Sequence, residues 1–243
     1  MGPGVSANQL FKAGKLDDAI DVLSADLRGD PTNTRARTFL FELLCFGGQH
    51  ERAEKQLDVL AEGSREAEMG ALLFRSALHA DRVRQEMFAR EQLPDGKPPP
   101  APVSGTLNGT VFGNLTDGDP RLGARLEIYA AGQYTWLPLE HIQTVRMEPP
   151  KKLRDLLWAP AVIVPGPAFQ GMELGEVLIP VLTPLSARHE DDQVRLGRLT
   201  VWGDLPSGEQ APTGLKLLLV DEEEFPILEL RELEITRPTD QPA

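Results

Sequence analysis

The sequence predicts an α+β protein in which helical hairpins come first and a mostly antiparallel, β-rich half follows. Three observations predict it. Apolar residues echo at a fixed distance in residues 5–91, a proline run interrupts residues 92–104, and short β-type runs separated by Pro and Gly fill the remainder. The echo is the most specific of the three. Leu10, Gly14, Ala19 and Leu23 recur as Leu44, Gly48, Ala53 and Leu57, each pair 34 residues apart. That is the tetratricopeptide period, whose unit is two antiparallel helices. A small residue lets the paired helices turn and approach, and the leucines fill the seam between them. Such a module generally grips another protein's helix or extended segment and carries no chemistry of its own.

Ala7, Leu10, Phe11, Leu16, Ala19, Ile20, Leu23 and Leu27 recur at helical spacing, broken at Ala13-Gly14-Lys15 where the first hairpin turns. Asp30-Pro31-Thr32-Asn33 stops the second helix, because proline cannot continue the hydrogen-bond ladder and Asn or Thr can cap the next helix. A third helix is predicted over 34–46, with Phe39, Leu40, Leu43, Leu44 and Phe46 inward. Gly47-Gly48 turns the chain into a fourth, whose inner face is Ala53, Leu57 and Leu60. A degenerate third hairpin follows, with Leu72, Leu73, Ala77 and Leu78 on one helix and Val83, Met87 and Phe88 on the next. These observations divide the chain into a tetratricopeptide-like domain over 1–91, a semi-rigid linker over 92–104 and a β-rich domain over 105–243. The linker carries Pro94, Pro98, Pro99, Pro100 and Pro102, which favour extended polyproline geometry.

In the second half, residues 126–129 and 132–136 read as two strands joined across Ala130-Ala131-Gly132. Further strands are predicted over 161–164, 176–182, 198–202, 215–220 and 227–230. A short helix is predicted over 153–158, and a turn or single helical turn over 140–145. No useful βαβ alternation is visible, which disfavours a doubly wound nucleotide fold.

Composition narrows the function classes. The 243 residues are 41% hydrophobic and 26% charged, an ordinary globular balance, with a net charge of −12. Residues 1–93 carry 12 basic and 15 acidic side chains, and residues 94–243 carry 13 and 22, so the acid excess sits in the second half. A chain without a basic stripe gains nothing from phosphate counterion release and is not drawn to anionic lipid, so neither nucleic acid nor membrane is an expected partner. Cys45 is the single cysteine, which rules out an internal disulfide and a Cys-based zinc site; it reads as a small core hydrophobe. No basic, apolar leader and no run of 18 apolar residues is present, so the expected location is cytoplasmic.

Each candidate for chemistry has a plainer reading. Asp117-Gly118-Asp119 lacks the spaced oxygen ligands and closing glutamate of a calcium loop and reads as a turn before Pro120. Gly105, Gly109 and Gly113 match neither a dinucleotide fingerprint nor a P-loop, and fit strand bends. His50, His79, His141 and His189 form no metal-binding pair. Ser186 and His189 lie close in sequence without a nucleophile elbow and read as a solvated loop. Asp221-Glu222-Glu223-Glu224 reads as a solvated turn between strands, and Trp136, Trp158 and Trp202 as core anchors. No catalytic residue, cofactor or metal is expected.

One string of residues is more particular. It comprises Asp117-Gly118-Asp119-Pro120-Arg121-Leu122-Gly123, Leu126-Glu127-Ile128, and Gly132-Gln133-Tyr134-Thr135-Trp136-Leu137-Pro138 with Ile142. It continues through Pro149, Leu153-Arg154-Asp155-Leu156-Leu157-Trp158-Ala159-Pro160-Ala161 and Val177-Leu178-Ile179-Pro180-Val181-Leu182. In order and spacing it resembles the ImpE/SciE family, also called TagJ, accessory proteins of bacterial type VI secretion systems. The resemblance runs from about residue 8 to about residue 235 and includes the Gly14-Lys15-Leu16-Asp17-Asp18-Ala19-Ile20 turn. This chain has Thr183-Pro184 where the family often carries a tyrosine before the proline.

The resemblance implies a non-enzymatic component of the contractile apparatus. It implies as partner the N-terminal helix of the small sheath subunit, TssB, and an indirect link to ClpV, the ATPase that recycles contracted sheath. The first helix of each hairpin usually lines the concave face, which makes Asn8, Lys12, Arg35, Thr38, Glu42, Ser76 and His79 the candidate partner-binding residues. Asp119, Arg121, Tyr134, Trp136, Pro138, Arg154, Asp155, Trp158 and Pro160 belong to the family motifs and are assigned structural roles, Arg154 and Asp155 as an ion or cap network beside Trp158. Two other functions stay open: a C-terminal domain that binds a small ligand or catalyses a reaction, with the repeats as a docking arm, and a general holder of unrelated clients.

Overall fold

The structure, a computed structural model, describes residues 5–93, 100–167 and 174–236. The sequence expectations for Pro94, Pro98 and Pro99 of the linker, for the first four residues and for residues 237–243 lie outside these. Among the described residues the chain is α+β, with α1 (Ala7–Lys12), α2 (Leu16–Gly29), α3 (Thr34–Phe46), α4 (His50–Ala61) and α5 (Arg65–Ala89) preceding the strands.

The 34-residue echo is a repeated turn. Gly14 and Gly48 hold φ of +74° and +66°, the left-handed region that a side chain disfavours. Behind each, the same backbone bond closes the helix end: Lys15 N–H donates to Leu10 O at 2.9 Å, and Gln49 N–H to Leu44 O at 2.8 Å. Helix starts are marked by local chemistry. Ser6 and Gln9 form a reciprocal capping box, Asn33 accepts from Ala36 N–H at 3.0 Å, and Ser64 accepts from Ala67 N–H at 3.1 Å. Ala19, Leu23, Leu44, Ala53 and Leu57 are all buried in the shared helical core.

The expected third hairpin is absent. Residues 65–89 form one 25-residue helix, since no glycine or proline interrupts it after Gly70. Its inward stripe is Ala77, Asp81, Arg84 and Phe88, while Leu72, Leu73 and Val83, expected inside, are exposed.

The second half contributes β1 (Val103–Leu107), β2 (Thr110–Asp117), β3 (Arg125–Ala130), β4 (Gln133–Pro138), β5 (Ile142–Met147), β6 (Trp158–Pro165) and β7 (Glu176–Pro180). A four-residue helix, α6 (Asp192–Arg195), and β8 (Val201–Asp204), β9 (Gln210–Thr213), β10 (Leu217–Val220), β11 (Glu223–Pro226) and β12 (Glu232–Thr236) complete it. Ten strands form one sheet in the order β11-β10-β2-β1-β12-β5-β6-β7-β3-β4, each neighbour antiparallel, and β8 and β9 form a separate ribbon. One face of the sheet joins the helical core through Tyr129, Leu157 and Trp158. The other encloses a second core that includes Leu126, Ile128, Val145, Ile163 and Ile179.

Several local expectations change. Residues 227–230 are no strand: Ile227–Glu229 is a 3-10 turn, and Ile227 and Leu230 are fully buried three residues apart. The helix expected over 153–158 is a 3-10 turn, Leu153–Leu156, and Trp158 opens β6. Strand structure in the 198–202 run starts only at Val201, and β1 begins inside the expected linker. Trp202 is half-buried on the outer ribbon, donating to Glu224 at 2.7 Å, and is no core anchor. Ser186, expected in solvent, is 1% exposed and bonds Thr183 and Gly214.

Candidate functional site at the junction of the two halves

Helix α5 lies across β3 and β4, and its inward stripe carries charge into the seam. Arg84, 1% exposed, donates both arms of its guanidinium to Glu127, at 2.7 and 2.8 Å, and also reaches Leu182 O at 3.0 Å. Lys216 Nζ lies 2.6 Å from Glu127 and 2.6 Å from Asp117. Tyr134 donates its hydroxyl to Glu127, and Trp136 Nε1 donates to that hydroxyl. Glu127 and Tyr129 face α5 because alternate residues of β3 share a face, leaving Leu126 and Ile128 to the opposite core.

Two cations thus meet two anions out of water, and the bidentate geometry offsets a desolvation cost of several kcal/mol per ion. Burial alone would raise the Glu127 carboxyl; Arg84 and Lys216 reverse this and hold it far below the usual range. Asp117, sharing Lys216 with Glu127, is the weaker acid: burial pushes it up to about 6 against the pull of the lysine. One turn earlier on α5, Asp81 accepts from Tyr129 at 2.6 Å and pairs with His50 Nε2 at 2.8 Å. Burial opposes its ionisation, but His50, Arg84 and Tyr129 outweigh burial and keep it ionised.

A second set of bonds pins the first hairpin. Lys15 precedes α2 and provides no side-chain cap; Asp192 of α6 supplies it instead, accepting from Leu16 N–H at 2.7 Å. Arg195 pairs with Asp17 at 2.8 Å, and Arg198 donates to Phe11 O at 2.7 Å while covering the Phe11 ring.

The residues expected on a partner-binding face differ in their surroundings. Asn8, Lys12, Arg35 and His79 are exposed, and Thr38 is half-buried with its hydroxyl on Thr34 O. Glu42 is buried beside Arg154, 4.0 Å away, and burial raises its carboxyl to about 6 against that cation. Ser76 lies against Gly132 of the β3–β4 turn. Glu42 and Ser76 therefore face the C-terminal half and no open groove wall.

The motif residues cluster at the same seam. Asp119 is fully buried and holds Arg121, whose guanidinium lies 4.8 Å from the Phe88 ring of α5. Trp136 meets the same ring at 6.0 Å, and Pro138 closes β4. Arg154 sits 4.6 Å over Phe74, and Asp155 accepts from the backbone of Lys151 and Lys152. Trp158 is 4% exposed, and Pro160 pairs with Leu178 across the sheet. Arg84 and Lys216 carried no sequence signal, since an ion pair across the fold has no period.

Two clefts open at the seam. One, of about 410 Å³, lies between the α3–α4 turn, the end of α5 and residues 182–188, and reaches His50, Asp81 and Trp158. Cys45 borders it, and burial, then Asp81 and Glu42, push its thiol well up, away from the thiolate that nucleophilic attack requires. The second, of about 640 Å³, runs between the first half of α5 and β6. Glu127 lines neither, while Asp155 lines the second. Among the described residues, no group of three or more His, Cys, Asp or Glu could hold a metal, and no helix is long and apolar enough to cross a membrane.

A tetratricopeptide-like array docked by buried charge onto a ten-stranded antiparallel sheet defines a class of helical-repeat proteins with a fused β domain. The tetratricopeptide repeat model matches residues 10–73, and the ImpE protein model matches residues 109–234. The chain is 33% identical to the type VI secretion system accessory component TagJ of Pseudomonas aeruginosa, over 96% of this chain and 92% of that protein. The chain belongs to the ImpE family. Its fold is shared by a Vibrio parahaemolyticus protein of known crystal structure, with a TM-score of 0.81 at 24% identity, over 95% of this chain and 97% of the other.

Proposed function

We propose that this chain is a cytoplasmic, non-enzymatic adaptor of a bacterial type VI secretion system that binds the N-terminal helix of the small sheath subunit TssB. Through that subunit it is connected to ClpV-dependent sheath recycling. The observation that carries the reading is the near full-length similarity to TagJ, a type VI secretion accessory component. The tetratricopeptide-like half supports it, since such arrays hold helices and extended segments. The saturation of the buried acids supports the non-enzymatic part: both Glu127 oxygens are engaged by Arg84, Lys216 and Tyr134, and neither cleft reaches them.

The test is calorimetric titration of the full chain with a synthetic peptide of the sheath subunit's N-terminal helix, taken from the same genome. A Kd of about 1 μM, equivalent to about −8 kcal/mol, is expected. Absence of heat at tens of micromolar, or equal binding of a scrambled peptide, would remove the reading; the second result would favour a general client holder.

A further inference from the structure

Helix α5 covers the sheet unevenly. Along β6 the residues on the helix-facing side are Trp158, Pro160, Val162 and Val164, alternating with the core residues Ala159, Ala161 and Ile163. Trp158 is 4% exposed beneath the helices, Pro160 is half-buried, and Val162 and Val164 are 50% and 41% exposed. The register carries the bare face onto β5, where Arg146 and Thr144 lie opposite Val162 and Val164. The helical layer therefore ends over β6.

The facing wall is the first half of α5. Leu73 is 56% exposed, beside Leu72 and one turn after the exposed Met69. Leu73 and Val162 both line the cleft of about 640 Å³, whose rim gathers Arg146, Lys151, Lys152 and Arg154 against Glu148, Asp155 and Glu176, a small excess of cations on a chain of net charge −12. Arg154 is held by Phe74 and Glu42, Arg146 by Glu232, and Lys151 by Glu148 at 3.6 Å, so exposed Lys152 is the cation placed to meet a ligand.

We propose that an amphipathic helix of a partner protein, apolar on one face and acidic along one flank, docks between Leu73 of α5 and Val162 of β6 and continues the helical layer across the sheet. The proposal rests on the adaptor function above and places the sheath-subunit helix in this groove. An apolar strip left open between a helix and a sheet is the shape that helix anchors at i, i+3 or i+4, and i+7 fill. The excess of cations at the rim, with Lys152 exposed, selects an acidic flank and speeds encounter with it.

The full chain is titrated with the fluorescein-labelled sheath-helix peptide and followed by anisotropy. Leu73→Asp combined with Val162→Asp weakens binding by about tenfold or more, because a charge is placed at the centre of a dry contact. Lys152→Glu weakens it several-fold and flattens its salt dependence. Lys55→Glu, on the exposed face of α4, leaves affinity unchanged. Circular dichroism and urea midpoints show that each variant is folded. If the double variant binds as tightly as the wild type, the groove is wrong and the adaptor function stands. If the wild type ignores the peptide, both fall. Self-association of the wild type that the double variant loses would assign the groove to a second copy and overturn the proposal.

Discussion

Helix α5 meets the sheet in two places built from opposite chemistry. At Glu127 the contact is charged and sealed, with every ionised partner matched inside the chain. At Leu73 and Val162 it is apolar and open, with half or more of each side chain in water. Sealed charge gains nothing from an outside ligand and loses heavily if one member is removed. Open apolar surface contributes nothing to the isolated chain, yet each Å² of it is worth about 25 cal/mol to whatever covers it. The first place fixes how the halves sit together, and the second is where the molecule can act on another protein.

The largest effect should come from the sealed side. Arg84→Met leaves Glu127 without its bidentate partner, and loss of one member of a buried ion network costs about 3–5 kcal/mol. A urea midpoint shifted by that amount would mark the cluster as architectural, and a negligible shift would erase the contrast. Asp192→Ala removes the cap that the C-terminal half lends to α2, for about 1 kcal/mol by the same measurement.

Glu42 sharpens the contrast through pH. Its folded carboxyl, raised by burial to about 6 from an ordinary 4.5, favours the fold while protonated. That contribution is complete below about pH 4.5 and is lost as the pH climbs through 6. Glu42→Gln cannot ionise, so between pH 4.5 and 7 it should gain up to about 1 kcal/mol on the wild type, allowing for solvent screening at this rim. Paired urea melts at the two pH values check the sign. The smallest effect on stability is expected at the open site, where Leu73→Asp should change the midpoint by less than about 0.5 kcal/mol.

What could be read from the sequence follows the range of the interactions. The first two hairpins were legible because their turns are local: Gly14 and Gly48 each set a left-handed residue and one backbone bond five residues back. The ImpE-type motif string was legible for the same reason, as short segments of fixed order. Helix α5 was misjudged because Leu72 and Leu73 look like core, and only the reach of the sheet decides that they stay in water. Strands β1, β2, β5, β9, β11 and β12 were not predicted, β5 falling largely in the turn expected over 140–145; in β1 and β12 the open face carries Thr106, Glu232 and Glu234 in place of an apolar run. The charged cluster assembles Arg84, Asp117, Glu127 and Lys216 from separate elements, and no local pattern announces such a meeting.

Hydrogen exchange of the full chain, with and without the sheath-helix peptide, tests the assignment most directly. New protection should fall on the first half of α5 and on β6, with the seam around Arg84 and Glu127 already protected in the free chain. Protection confined to α1 and α3, or none anywhere at saturating peptide, would contradict it.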